Sequence, residues 1–192
     1  MRKIVLASAS PRRKELLGQM GLEFLVDSSD IEEVVVGDCQ EDIVKGLARS
    51  KADDVARRYE GDVVVIGADT LVVLGDQILG KPVDEKDACL VLRELSGKVH
   101  QVYTGVCVVI KDSIREERIV SFVEKSDVWV NELSDEEIGS YIETKEPFDK
   151  AGSYGIQGRF GIHISRIEGD YNNIVGLPIA RLYKELKREG IC

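Results

Sequence analysis

Lys3-Ile-Val-Leu-Ala-Ser-Ala-Ser-Pro-Arg-Arg13 runs from an apolar stretch through small residues into a helix start. Lys3 to Ala7 reads as a buried strand and Pro11 to Met20 as a helix, with Ser10 its N-cap and Pro11 its first residue. Glu23 to Val26 reads as a second strand, so the chain opens β-α-β, as an α/β fold does. Arg12 and Arg13 then stand where cations oppose the helix dipole, at about 0.3–1 kcal/mol each, unless an anion neutralises them together with the free N–H groups. Strand, small residues, helix start and two arginines point to a phosphate site. The plain alternative is two arginines turned to water or paired with carboxylates.

Downstream, Gln40 to Tyr59 has the period of a long helix, and Asp62 to Ala68 is a Val/Ile run suited to a central strand. Leu71 to Leu79 reads as a hairpin turning at Gly75-Asp76, and Asp84 to Leu95 as a helix. Val99 to Ile110 and Arg118 to Val130 are strand-like, and a helix capped by Ser134 runs to about Thr144. Gly, Ser and Asp dominate Asp149 to Gly161; a strand, Ile162 to Ile167, and a helix, Pro178 to Arg188, follow.

The 192 residues suit one core, or one core with a small lobe, and are read as a single domain over 1–192. A 43% apolar and 32% charged composition, with no apolar run near the ~20 residues of a membrane span, excludes disorder and membrane insertion. The basic pair Arg2-Lys3 is followed by only four apolar residues, too few for the h-region of a signal peptide. Cys39, Cys89, Cys107 and Cys192 form no close pair, so a reducing cytoplasm is expected. A net charge of −9 argues against binding nucleic acid polymers, though not against binding an anion locally.

Three further places break local rules. Lys51 falls inside the apolar stripe Val44, Leu47, Ala48, Ala52, Val55, Tyr59, so its ammonium must either snorkel to water or reach a buried anion. If the ammonium serves a phosphate ligand, Lys51→Met is expected to keep the fold, or even stabilise it, while weakening triphosphate binding. Asp69 follows the apolar run Val63 to Ala68 and reads as the end of a buried strand, where ligands of α/β folds collect, or else as a turn residue. Lys81, before Pro82, could be aimed at the same place by its loop. Finally, Gly152, Gly155, Gly158 and Gly161 recur every third residue beside Asp149 and Lys150, a spacing that admits close backbone approach to a ligand but matches no nucleotide fingerprint.

Together these segments resemble the Maf family of nucleoside triphosphate pyrophosphatases over nearly the whole chain. The resemblance rests on Leu6-Ala-Ser-Ala-Ser-Pro-Arg-Arg13, Ile31-Glu-Glu33, Ala48-Arg-Ser-Lys-Ala52, Gly67-Ala-Asp-Thr70, Gly80-Lys-Pro82, Leu95-Ser-Gly97, Tyr103-Thr-Gly105, Glu146 to Gly158, and Gly176-Leu-Pro178. It implies an elongated mixed sheet with flanking helices in two lobes around a cleft, similar to inosine triphosphate pyrophosphatases, in a homodimer. It also implies hydrolysis between the α and β phosphates with a divalent metal, Mg²⁺ or else Mn²⁺.

Carried over by position, Asp69 is the proton acceptor for the attacking water, with Glu33 supporting metal or water and Glu32 a weaker candidate. Asp69 and Glu33 are then the metal ligands. Arg13, Lys51 and Lys81 hold the triphosphate, Lys81 with a catalytic share; Ser8 and Ser10 donate hydrogen bonds, and Asp149 and Lys150 join the substrate site. Arg12, Thr70 and Gln157 match positions that separate branches of the family. The form Gly155-Ile-Gln-Gly158 resembles the branch preferring dTTP and UTP, in which a glutamine amide reads a pyrimidine edge. A house-cleaning activity on 7-methyl-GTP or ITP, or a nucleotide-binding regulator of cell division, are the alternatives.

Overall fold

The computed structural model describes residues 2–32, 34–112 and 117–192. Its elements in chain order are β1 (Lys3–Leu6), α1 (Pro11–Gln19), β2 (Leu25–Val26), α2 (Gln40–Ala56), β3 (Val63–Leu74), β4 (Gln77–Leu79) and α3 (Glu85–Leu95). There follow β5 (Val99–Lys111), β6 (Arg118–Val130), α4 (Asp135–Glu143), β7 (Ile164–Glu168), α5 (Tyr171–Val175) and α6 (Ile179–Arg188). The strands make a mixed seven-stranded sheet of order β2-β1-β3-β5-β6-β7, with β4 paired to β3. β1 is parallel to β2 and β3, whereas β4 on β3 and β7 on β6 are antiparallel.

Two compact units are built on these strands: Met1–Asp69 with Thr104–Glu124 and Gly176–Cys192, and Thr70–Tyr103 with Lys125–Val175. The chain passes from one to the other within β3, β5 and β6, and again after α5.

In the first unit, Ala48, Ala52, Val55 and Ala56 of α2 pack on Val5, Val63, Val65, Cys107 and Val109. The alanines keep the helix thin on that face, and two glycines bring it closer still. A Cβ at Gly67 would fall 2.4 Å from the Ala48 carbonyl oxygen, and one at Gly105 2.4 Å from that of Val44. Backbone therefore rests on backbone at both points. Lys111 Nζ donates to the carbonyls of Ala56 and Tyr59 at 2.6 and 3.3 Å, satisfying groups the helix end leaves open. α2 ends at Ala56 rather than at Tyr59, and the Arg58 and Tyr59 amides close a tighter turn on the Val55 and Ala56 carbonyls.

In the second unit, α3 and α4 bury Ala88, Leu92, Leu95, Ile138, Tyr141 and Ile142 against Val102, Val128 and Val130. Ser134 closes a full capping box with Glu137 at the start of α4. Tyr154 and Phe160 belong to the same core, and the glycine-rich stretch around them is wound into short 3₁₀ turns at Glu146–Asp149, Ala151–Ser153 and Arg159–His163.

The expected boundaries fail most at Asp69. No strand ends there: β3 runs unbroken for 12 residues, and Asp69 is buried in its middle. A carboxylate inside a sheet is costly, but the charge of Asp69 meets a cation, and buried apolar positions return at Val72 and Val73. The second strand shrinks to Leu25–Val26, and the short helix α5 lies between the last expected strand and the last expected helix, where no element was expected.

Candidate active site

Within the first unit β1 stops at Leu6, and residues 7–10 form a turn into α1. Ser8 is buried; its Oγ accepts from the Ser10 amide at 3.3 Å and from Arg13 Nη1 at 3.4 Å. Ser10 Oγ accepts from the Arg13 amide at 3.4 Å, the N-cap its sequence position suggests. Arg13 Nε donates to the Gly176 carbonyl at 2.9 Å, tying the first turn of α1 to the segment that leads into α6. Arg12 is half-buried in that turn.

The parallel register pairs Leu6 with Ile66, so β3 continues past the residue at which β1 ends. Asp69, three residues after Ile66, therefore stands at the level of the Ser8–Ser10 turn. Gly67 and Asp69 share one face of β3, since side chains alternate along a strand. The close seat of α2 on Gly67 brings Lys51, the neighbour of Ala52, to that face. Lys51 Nζ lies 2.5 Å from Asp69 Oδ1, and the two side chains keep only 15% and 11% of their exposure. Of the two fates open to Lys51, reaching a buried anion is the one observed.

Apart from Glu32, the remaining described candidates belong to the second unit. Thr70 is half-buried on β3, and Lys81 is exposed after Gly80, whose carbonyl accepts from the Gly152 amide at 3.0 Å. Lys150 Nζ binds Asp149 Oδ1 at 2.5 Å and the Glu146 carbonyl at 2.6 Å. Gln157 is exposed in a turn closed by the Gly158 amide on the Gly155 carbonyl at 3.2 Å. Glu32 is exposed, and Glu33 lies outside the described residues.

Oxygen donors suit a hard cation, and Asp69 supplies a carboxylate beside the turn. No group of three or more His, Cys, Asp or Glu gathers around a common point among the described residues. This set fits a Mg²⁺ that keeps most of its shell from phosphate oxygens and water, which is the usual habit of that ion, and not an all-protein cage.

Several residues with no role in the sequence reading shape the second group. Glu146 accepts the Arg159 amide on both carboxylate oxygens, at 3.0 and 3.3 Å. Tyr141 Oη accepts the Gly155 amide at 3.2 Å, and burial raises its pKa. His100 is fully buried, shares a 2.8 Å hydrogen bond with Tyr154 Oη, and is held neutral by burial, which lowers its pKa to about 4. Glu146 stood inside a quoted motif, yet only its contacts single it out. Gly67 and Gly105 carried a readable signal: each interrupts a strand, which marks a close backbone approach.

The sheet order defines the class, an α/β protein, and the polar residues collected where β1 stops make a candidate site at a strand end. Residues 3–189 match the family model described as Maf-like protein, and the chain belongs to that family. It is 53% identical over 191 residues to a dTTP/UTP pyrophosphatase of Lachnoclostridium phytofermentans, covering 100% of this chain and 97% of the relative. It is 51% identical over 203 residues to a protein of the same name from Agathobacter rectalis, covering 100% and 99%. Among solved structures, a nucleoside-triphosphatase / dITP/XTP pyrophosphatase from Mycobacterium abscessus aligns over 66% of this chain and 74% of its own, at 20% identity and a TM-score of 0.38. So loose a superposition leaves the fold to be read from the chain's own sheet. No helix among the described residues is long and apolar enough to cross a membrane.

Proposed function

We propose that this chain hydrolyses dTTP and UTP to the nucleoside monophosphate and pyrophosphate. The observation that carries the reading is the Lys51–Asp69 pair at the level of a serine turn, in a chain 53% identical over its whole length to a protein named dTTP/UTP pyrophosphatase.

In this reading the P–O bond of the α–β bridge breaks, and water supplies the oxygen that replaces it. Asp69 takes the proton from that water. Its carboxylate is held by Lys51 and shielded from bulk solvent, which supports a fixed direction for the transfer. Ser8, Ser10, Arg12, Arg13 and Lys51 bind the phosphates on the first unit. There the α1 N-terminus and the cations stabilise the charge that moves onto the departing pyrophosphate. Lys81, Asp149 and Lys150 also bind the substrate in this reading. Thr70 and Gln157 select the base, the latter by offering both donor and acceptor to a pyrimidine edge.

Asp69 and Glu33 would hold Mg²⁺, with Mn²⁺ as substitute, and the ion would supply Lewis-acid charge stabilisation. The carboxylate chemistry of Asp69 supports this assignment. A cytoplasmic homodimer completes the proposal; four cysteines without a disulfide agree with a reducing compartment. Light scattering of the purified chain tests the dimer, and a metal panel tests the ion.

Pyrophosphate release from dTTP, UTP, 7-methyl-GTP and ITP tests the activity. The expected kcat/KM for the two pyrimidines is about tenfold or more above that for the purines. Preference for a purine nucleotide overturns the specificity.

A further inference from the structure

Gln157 sits at the tip of a turn with glycine on either side, and such a turn has many conformations open to it. A side-chain amide that reads a base edge needs support to within about 0.5 Å. The second unit supplies that support from one short segment. At one end of the turn, Tyr141 Oη accepts the Gly155 amide, and the Lys150 stem lies on Gly155 so tightly that a Cβ there would fall 2.7 Å from Lys150 Cε. At the other end, both Glu146 oxygens receive the Arg159 amide, and a Cβ at Gly158 would fall 2.0 Å from Oε2. Lys150 Nζ returns to the Glu146 carbonyl, closing the brace.

Glu146 itself is presented by a strained backbone, since Lys145 before it is a non-glycine residue at φ 63°. A carboxylate on a backbone amide is a charge-assisted bond, stronger than a neutral turn bond. That strength is spent on a turn whose one polar side chain, Gln157, points no contact of its own back into this brace among the bonds described above.

We infer that Glu146 is a nucleobase-selectivity residue: its carboxylate fixes the Gly155–Gly158 turn, and through it the direction in which Gln157 meets the base. The inference rests on the reading of Gln157 given above. Glu146 touches no reacting atom in this scheme; it is a positioning residue.

The test is steady-state kinetics of the full chain on dTTP and ITP for Glu146→Asp, Glu146→Gln and Gln157→Ala. Glu146→Asp keeps the charge but is one methylene too short for the Arg159 amide, and it lowers the dTTP:ITP ratio of kcat/KM about tenfold, through KM for dTTP. Glu146→Gln keeps an oxygen at the same reach and holds the ratio within about threefold of wild type. Gly158→Ala, which pushes a methyl into Oε2, reproduces Glu146→Asp and carries the test should that variant fail to fold.

An unchanged ratio, or an equal loss on both nucleotides, overturns the inference. Gln157→Ala judges the other reading separately. If it alone shifts the ratio, Glu146 has no such role and Gln157 keeps its own. If Glu146→Asp shifts the ratio and Gln157→Ala does not, the Gln157 reading fails, and the inference, which runs through that side chain, falls with it.

Discussion

Lys51 Nζ and Asp69 Oδ1 stand 2.5 Å apart, one on a helix and one inside a strand, with both side chains largely withdrawn from water. Removing the ammonium leaves a buried carboxylate without this partner, and breaking a buried pair is costly. Lys51→Met is therefore expected to lose about 2–4 kcal/mol, contrary to the retained or increased stability expected from the sequence alone. The double variant Lys51→Met/Asp69→Leu recovers most of that loss. Urea midpoints of the two variants decide; equal midpoints would remove the energetic coupling.

Asp69→Asn keeps the shape of the side chain and removes its basicity. The fold and dTTP binding are expected to persist, while kcat drops by about 10²-fold or more, as for loss of a general base. Calorimetric binding and pyrophosphate release separate the two effects. Normal turnover with normal binding would make the chain a nucleotide binder whose hydrolysis, if any, lies elsewhere.

Gly67→Ala places a methyl 2.4 Å from the Ala48 carbonyl oxygen and 2.8 Å from the Ala52 nitrogen, both backbone atoms that cannot turn aside. The expected cost is about 1–3 kcal/mol, as for overpacked cores. Activity falls further than stability alone explains, because α2 carries Lys51. A thermal midpoint and a kcat measured well below it provide the comparison; a lowered midpoint with unaltered kcat would separate Gly67 from the site.

His100 makes acid stability a local matter. Unfolded, its imidazole takes a proton near pH 6.5; folded, burial keeps it neutral down to about pH 4, and the Asp127 charge only partly opposes this. Between those values the unfolded chain binds the extra proton, so stability falls as pH drops through the window. The full effect is on the order of 3 kcal/mol, and about 2 kcal/mol of it is present by pH 5. His100→Gln is expected to flatten the change in urea midpoint between pH 7 and pH 5. Identical slopes in both proteins would assign the acid sensitivity to other groups.

Much of this could be read from residue order alone. Apolar periodicity located the helices and strands, and the Ser10-Pro11 pair located the α1 cap, because these depend on neighbours a few residues away. Asp69 was placed at a strand's end because the cation that lets the strand continue lies 18 residues upstream, on another element. Glu146 and His100 escaped for the same reason: their partners Arg159 and Tyr154 are 13 and 54 residues distant, and no local rule links them. Glu33, named from the family resemblance, lies outside the described residues.

The bare seats of α2 at Gly67 and Gly105 have a mechanical meaning. Two contacts on neighbouring strands, reached near Val44 and near Ala48 and Ala52, fix both the axial position and the roll of the helix, as two pins fix a ruler. No rotamer lies between helix and sheet at either pin to absorb a shift. Any strain that moves the sheet there must carry the α2 backbone at Lys51 with it, so the point from which the ammonium reaches Asp69 is gauged by the backbone itself.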